Sequence, residues 1–185
     1  MLQKIYKLLE KADAVIHYNG ARFDIPTLNK EFLLFGFNPP ATYQQIDLLK
    51  TARKQFKFPS NKLDYIAQSL KLGQKTKHAG HDLWVKCMTG DENSWKIMEE
   101  YNKNDVVLLE AVYNKLLPWI TNHPNVALIN NEELACPNCG ANSLNKRGYS
   151  FTSSGKYQRY QCKNCGSWHR DRSGIKTVKT KTSVK

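Results

Sequence analysis

The sequence lacks any long hydrophobic run. Its apolar stretches are only a few residues long and Lys or Glu interrupts every helical segment, whereas a membrane-spanning helix needs about 20 apolar residues. The first residues, Met1-Leu2-Gln3-Lys4-Ile5-Tyr6, also lack the apolar core of a secretory signal peptide. These absences argue against a membrane protein and indicate a reducing, intracellular setting, so we expect a cytoplasmic protein.

Acidic residues are nearly absent from the last part of the chain. Residues 134–185 contain 1 Asp or Glu against 11 Lys and Arg, whereas residues 1–133 contain 15 against 17. Because concentrated positive charge attracts polyanions through counterion release, nucleic acid is the expected partner of this basic part. The alternative is a solvated basic tail that has no partner.

Cysteine is scarce, and four of the 5 cysteines form two Cys-x-x-Cys pairs, Cys136 with Cys139 and Cys162 with Cys165. Four thiolates at this spacing, joined by a hairpin, match the tetrahedral ligand set of Zn²⁺. Two disulfides are the alternative, and the missing secretion signal argues against them. We expect a structural zinc ribbon at residues 134–175. Cys87 stands alone and is expected to be a small core residue.

Basic and aromatic side chains alternate inside this expected ribbon. Phosphate contacts are expected from five cations: Arg147, Lys156, Arg159, Lys163 and Arg170. Faces on which bases could stack are expected from four aromatic residues: Tyr149, Tyr157, Tyr160 and Trp168. A purely structural clasp is the alternative role of the module. Residues 176–185 form a basic tail that we expect to be disordered.

Strand and helix patterns alternate in the first part of the chain, which favours an α/β fold. The periodicity predicts helices at residues 2–9 and 23–37, a strand at 14–18, and a strand from Tyr43 that runs into a helix. Ser60 is a candidate N-cap and Gly73 a candidate stop for the next helix. Residues 74–91 show no clear periodicity, and their His78, His81 and Asp82 are either loop residues or substrate contacts.

Two carboxylates stand out in this α/β part. Asp24 follows the strand at residues 14–18 and a flexible Gly20, so it is either a helix N-cap or a functional carboxylate at a sheet end. Asp105 lies on the apolar stripe of a long helix, four residues after Tyr101. A carboxylate on a buried face needs a cation or several donors. Asp105 is therefore either satisfied by local donors or a metal ligand.

These residues resemble a known family. Asn19-Gly20-Ala21-Arg22-Phe23-Asp24 looks like the second motif, and Tyr101-x-x-x-Asp105 like the third, of the DEDD 3′-5′ exonucleases with an RNase H-like fold. Because Tyr101 stands in the third motif, the sequence resembles the Tyr subclass of this family. Within that subclass it is most similar to YprB-type domains and to phage exonucleases that end in a zinc ribbon. Three further stretches also fit the pattern of this family: Asp47-Leu48-Leu49, Ser60 to Ala67 and His78 to Trp84.

The resemblance implies roles for these residues. It implies that Asp24 and Asp105 bind Mg²⁺ or Mn²⁺ and that Tyr101 orients the attacking water. It also implies that Asn19 contacts the substrate, the single-stranded end of a nucleic acid. It also implies that the gene could be phage-encoded in a bacterial host. One motif is missing, because no Asp-x-Glu or Glu-x-Glu occurs in the sequence. We therefore expect a fragment, a split gene product or a degenerate copy.

The expected architecture is a truncated RNase H-like domain at residues 1–120, a linker at 121–133, the zinc ribbon at 134–175 and the basic tail. The leading functional hypothesis is the C-terminal part of a two-metal 3′-5′ exonuclease acting on DNA or RNA. The alternatives are a nucleic-acid-binding zinc-ribbon protein without catalysis and one half of a split exonuclease. Because the missing strands would leave residues 14–18 with an open apolar edge, a partner chain or self-association is expected.

Overall fold

A computed structural model of the chain describes residues 1–75, 80–153 and 155–177. The chain divides into two units, Met1–Leu116 and Leu117–Lys185, and each unit is described by itself. His78 and residues 178–185 of the expected tail lie outside the described residues. Within the described ranges, no helix is long and apolar enough to cross a membrane.

The first unit opens with the expected helix, strand and helix. These elements are α1 (Leu2–Glu10), β1 (Ala14–His17) and α2 (Asp24–Leu34). The two helices pack through aromatic rings, since the Tyr6 ring meets the buried Phe32 ring edge-on at 5.3 Å between centroids. The helical periodicity is confirmed only in part, since Leu9 and Phe32 are buried but Leu8 and Leu33 of the same expected stripes are 70% and 77% exposed.

A second strand, β2 (Gln44–Asp47), runs parallel to β1. The register pairs Ala14 with Gln44 and His17 with Asp47, so both strands end at the same level. Helix α3 (Leu48–Gln55) follows β2 at once, with the Asp47 side chain as its N-cap. The loop after β1 and the start of α3 are consequently neighbours at one end of the sheet.

Three further helices complete the first unit: α4 (Leu63–Ser69), α5 (His81–Met88) and α6 (Glu92–Leu116). Helix α6 buries Met98, Leu108, Val112 and Leu116, close to the apolar stripe expected from the sequence. Ile97 belongs to the expected stripe but is 49% exposed. The lone Cys87 is buried and packs with Leu83 and Met98, which confirms its expected core role.

Three local expectations for this region are wrong. Helix α5 begins at His81 and includes Asp82, so the interpretation of these two candidates as loop residues is wrong. Lys62, not Ser60, is the N-cap of α4, because the Ser60 hydroxyl accepts only the Lys62 N–H, at 3.4 Å. Helix α4 ends at Ser69, with Leu70 as its C-cap, and not at Gly73. The chain turns away here because Lys71 takes the left-handed conformation (φ 57°) and its N–H bonds to the Gln68 carbonyl.

The second unit is built on an antiparallel sheet. It begins with a 3₁₀ turn (Leu117–Trp119) and helix α7 (Val126–Ile129), which is capped by the Asn125 side chain and lies within the expected linker. The strands are β3 (Leu144–Phe151), β4 (Gly155–Cys162), β5 (Trp168–Arg170) and β6 (Lys176–Thr177). Strand β4 pairs with each of the other three.

Candidate functional site

The loop after β1 is folded by backbone hydrogen bonds to the two strand ends. Asn19 takes the left-handed conformation (φ 65°), and its N–H donates to Asp47 Oδ1 at 2.9 Å. The same carboxylate oxygen accepts the Leu49 N–H at 3.0 Å. Asp47 is buried, so these donors compensate its burial. Asp47 therefore fixes the loop that leads to Asp24, a role that no sequence signal beyond the resemblance indicates.

His17 supports the same loop as a neutral ring. Its Nδ1 accepts the Gly20 N–H at 3.1 Å, so that nitrogen carries no proton, and its Nε2 lies 3.3 Å from Gln45 Oε1, which can accept the remaining proton. His17 Nδ1 lies 3.9 Å from Asp47 Oδ1. Because the facing nitrogen is an acceptor in this tautomer, we interpret the approach as proximity and not as a charged ion pair.

Asp24 is the first residue of α2 and is exposed. The N-cap position belongs to Phe23, and no side chain caps this helix end. The N-cap interpretation of Asp24 is therefore wrong. A Cβ added to Gly20 would lie 3.1 Å from Asp24 Oδ2, so this carboxylate lies directly against the loop.

Asp105 is bound by a lysine that the sequence did not single out. Lys75 Nζ lies 2.6 Å from Asp105 Oδ2 and donates to the Tyr101 hydroxyl at 3.2 Å. Burial lowers the pKa of Lys75, but its hydrogen bonds to Asp105 and Tyr101 outweigh that effect, so its pKa is raised. The ammonium group is thus held charged between the two residues of the expected third motif.

The backbone of Lys75 is fixed by Asp64 on α4. Asp64 Oδ1 accepts the Lys75 N–H and Asp64 Oδ2 accepts the Gln68 amide, both at 2.7 Å. The hydrogen bond from the Lys75 backbone, followed by that from Gln68, lowers the pKa of Asp64. Asp64 therefore stays ionised and anchors the segment that carries the ammonium group.

One open cavity of about 1050 Å³ is lined by Asn19, Asp24, Asp64, Lys75 and Asp105. Two further oxygens belong to residues lining this cavity. Asp105 Oδ1 and Asn61 Oδ1 are buried, and neither has a hydrogen-bond partner among the described residues. Buried acceptors without donors are costly, and carboxylate and amide oxygens are the ligands that Mg²⁺ and Mn²⁺ prefer. The donor set of the cavity therefore fits a hard divalent cation.

Among the described residues, the candidates His81 and Asp82 do not line this cavity. His81 and Asp82 begin α5 and are exposed. Three of the four residues proposed from the two motifs, Asn19, Asp24 and Asp105, line the cavity, and Tyr101 reaches it through Lys75.

The second unit brings its four cysteines together. Their Sγ atoms all lie within 4.8 Å of one another and could hold a metal ion. Cys136 Sγ lies 3.6 Å from Cys165 Sγ, and Cys139 Sγ lies 3.7 Å from Cys162 Sγ. Zn–S bonds of about 2.3 Å in a tetrahedron place sulfurs about 3.8 Å apart, whereas a disulfide needs about 2.05 Å. The geometry fits Zn²⁺ and not two disulfides.

Hydrogen bonds favour the thiolate at Cys139, whereas burial raises the pKa of Cys136 and of Cys165. Burial raises the pKa of Cys139, but the Ala141 N–H and the Asn164 amide outweigh it and lower the pKa to about 7. His169 Nε2 lies 3.3 Å from Cys136 Sγ, and burial lowers the pKa of His169, so its neutral ring can donate to that sulfur. Such donors orient metal ligands.

The five expected phosphate contacts lie in the same unit, on and beside the sheet. Three of them stack on aromatic rings: Lys156 on Tyr149 at 3.7 Å, Arg159 on Trp168 at 4.6 Å and Arg170 on Tyr157 at 4.7 Å. The Arg147 carbonyl accepts Arg159 Nε at 3.0 Å, and Lys163 is exposed in the second cysteine pair. Tyr160 differs from the other aromatic candidates, because its hydroxyl bonds to Asp171.

The first unit is thus an α/β domain with an acidic, cation-compatible cavity beside the ends of its parallel strands. Residues 1–117 match the family model RNase_H_2 of the RNase H superfamily, and the chain belongs to that family. No curated protein matches the chain. The family indicates hydrolysis of nucleic acids in general, and its nucleases usually use divalent metals.

Proposed function

We propose that the chain acts as a metal-dependent 3′-5′ exonuclease of the DEDD Tyr subclass on DNA or RNA ends. The observation that carries the proposal is the cavity that brings Asp24 and Asp105 together, with Asp105 Oδ1 buried and without a donor among the described residues. Membership in the RNase H superfamily supports the reaction class. The spacing of Tyr101 and Asp105 supports the Tyr subclass.

In this proposal Asp24 and Asp105 hold Mg²⁺ or Mn²⁺. When bound, two such ions activate water and stabilise the leaving oxygen of a phosphodiester. The Tyr101 hydroxyl, which already meets the Lys75 ammonium at 3.2 Å, orients the attacking water. Asn19, at the rim formed by the loop after β1, contacts the nucleic acid. Lys75 holds a fixed positive charge in the same cavity.

A second candidate function is nucleic-acid binding without catalysis. Two observations favour it: the sequence has no Asp-x-Glu, and Lys75 already binds one oxygen of Asp105. Because hard cations prefer several oxygen ligands, a site with only Asp24 and Asp105 as carboxylate ligands should bind Mg²⁺ or Mn²⁺ weakly. A partner chain that supplies further carboxylates would restore the two-metal site, which is the split-enzyme form of the first proposal.

For the second unit we propose a zinc ribbon with four cysteine ligands. The sulfur distances and the antiparallel hairpin between the two cysteine pairs support it. Zn²⁺ would serve a structural role there, because four thiolates leave no open position for a substrate.

The experiment compares the full chain with Asp24→Asn and Asp105→Asn on single strands labelled at the 5′ or the 3′ end, with Mn²⁺ or Mg²⁺. Ladders from the 5′ label, together with immediate release of the 3′ label, are expected for the wild type and absent from both variants. The matched control is Asp13→Asn, since Asp13 is exposed and precedes β1 at the opposite end of the strand. Metal-independent cleavage, or cleavage kept in Asp105→Asn, would contradict the exonuclease proposal.

A further inference from the structure

One face of the sheet in the second unit concentrates two arginines and two aromatic rings. The register pairs Arg159 of β4 with Arg170 of β5, and Gln161 with Trp168. Since side chains alternate along a strand, Tyr157 and Arg159 of β4 lie on the same face as Trp168 and Arg170 of β5. We name these four residues the arginine face.

The two arginines of this face are directly opposite each other, which is unfavourable for like charges. Each guanidinium group leans along a diagonal and stacks on a ring instead. Arg159 Cζ lies 4.6 Å from the centre of the Trp168 ring, and Arg170 Cζ lies 4.7 Å from that of Tyr157. Stacking orients the guanidinium groups but leaves their charge in place.

Acidic side chains do not neutralise this charge. In residues 117–153 and 155–177, neither Arg159 nor Arg170 forms an ion pair. Asp171, the acidic residue next to Arg170 in sequence, accepts the hydroxyl of Tyr160, which pairs with His169 and so belongs to the opposite face. Both arginines are exposed, and Trp168 is 50% exposed.

We propose that the arginine face binds single-stranded nucleic acid. The guanidinium groups take neighbouring phosphates, and the ring of Trp168, with that of Tyr157, stacks on unpaired bases. A duplex keeps its bases stacked inside the helix and offers this face phosphates alone. The inference deepens the nucleic-acid binding proposed above, on which it rests, and it needs neither the acidic cavity nor a divalent ion.

The test measures binding of a fluorescein-labelled oligothymidine to the zinc-loaded full chain by anisotropy, without Mg²⁺ or Mn²⁺, over a series of salt concentrations. Arg159→Ala/Arg170→Ala is expected to weaken binding about tenfold or more. It should also reduce the slope of log affinity against log salt by about 1.4, since each single-strand phosphate contact contributes about 0.7. The charge-matched control is Lys146→Ala/Arg172→Ala, since Lys146 pairs with Tyr160 on the opposite face and Arg172 follows the end of β5. This control should change affinity less than about twofold.

The ring is tested separately from the charge. Trp168→Leu is expected to weaken binding about fivefold or more with an unchanged salt slope, whereas Trp168→Phe keeps a ring and most of the affinity. Zinc content and far-ultraviolet circular dichroism identify any variant that fails to fold. If Trp168→Leu fails to fold, the affinity of Trp168→Phe is compared with that of the wild type, and it should be largely kept.

Four results would overturn the inference. Equal weakening by the arginine and control double variants would assign binding to general charge. Equal competition by a duplex of the same length would remove the stacking role. Equal competition by polyglutamate would assign the face to acidic proteins. Absence of any nucleic-acid binding by the wild type would overturn the underlying binding function as well, whereas loss of cleavage alone leaves the inference intact.

Discussion

At the scale of single residues, the Lys75 ammonium is the cation already bound to Asp105. It lies 2.6 Å from Asp105 Oδ2, while Oδ1 is buried without a donor among the described residues. A divalent ion bound through Asp105 would have to share this carboxylate with the ammonium or displace it. Electrostatic repulsion between the two cations therefore opposes metal binding.

Lys75→Met should consequently tighten Mn²⁺ binding by about tenfold. A nearby charge typically changes the pKa of an ionisable group by about one unit or more, and the same electrostatic free energy changes the affinity for a cation by about tenfold. Isothermal titration calorimetry of the full chain with Mn²⁺ measures this affinity. The control is Lys62→Met, since Lys62 also lines the cavity but forms no ion pair among the described residues. Unchanged or weaker Mn²⁺ affinity in Lys75→Met would show that the ammonium does not compete.

A second residue prediction concerns Gly20. A Cβ there would lie 2.9 Å from His17 Cγ and 3.1 Å from Asp24 Oδ2. Gly20→Ala should therefore displace the neutral His17 ring and the Asp24 carboxylate, and destabilise the first unit by about 1–3 kcal/mol, as overpacking does. Urea unfolding followed by circular dichroism measures the loss, and Mn²⁺ affinity should fall with it.

Gly36→Ala is the control for this substitution. An added Cβ at Gly36 meets nothing within 4 Å, and only the left-handed backbone (φ 74°) opposes it, at a cost of about 1 kcal/mol. If Gly20→Ala binds Mn²⁺ as the wild type does, the close packing around Gly20 is not needed for the cavity.

At the scale of elements, β1 pairs only with β2 among the described residues, so its other edge is open. Its residues Ala14, Val15 and Ile16 are partly exposed. An apolar open edge favours pairing with another chain. We predict that the full chain associates as its concentration rises, through a second copy or a partner strand.

Val15→Lys should weaken this association, because charge on an edge strand opposes pairing. Multi-angle light scattering over a concentration series measures it. Leu8→Lys on α1, where Leu8 is 70% exposed, is the control for added charge. A monodisperse monomer with one cooperative melting transition at every concentration would contradict the prediction.

At the scale of the whole molecule, the chain consists of two units whose stabilities have different sources. The first unit buries an apolar core that includes Ile46, Leu48, Ile66 and Val112. In the second unit the cysteines are among the most buried residues, with Cys136 and Cys162 at 0% and 1% exposure. In the proposed zinc ribbon, metal binding would supply much of the folding free energy of this unit.

Chelation of zinc should therefore unfold the second unit and leave the first folded. Calorimetry of the full chain should show a melting component that disappears with a chelator or in Cys136→Ser, because zinc binding contributes about 10–16 kcal/mol in small zinc modules. Cys87→Ser is the control, since Cys87 belongs to the core of the first unit. A zinc-free chain with an unchanged melting profile would show that the cysteines do not hold the fold.

Features that depend on local spacing can be predicted from the residues alone. The two Cys-x-x-Cys pairs predict the grouping of four sulfurs, and the periodicity around Asp105 predicts its place on the inner side of α6. Strand and helix alternation predicts the α/β class, which the RNase H superfamily match supports. Ligand spacing and helical period are properties of neighbouring residues, so they can be read without the fold.

Contacts between distant residues follow from packing and have no signal in local spacing. Lys75 lies 30 positions from Asp105, and Asp47 lies 28 positions from Asn19, so packing alone brings these groups together. The arginine face likewise follows from the register of β4 and β5, because a shift of one residue would move Trp168 and Arg170 to the opposite side. No local pattern encodes a register or a helix packing, since both depend on the burial of the whole unit.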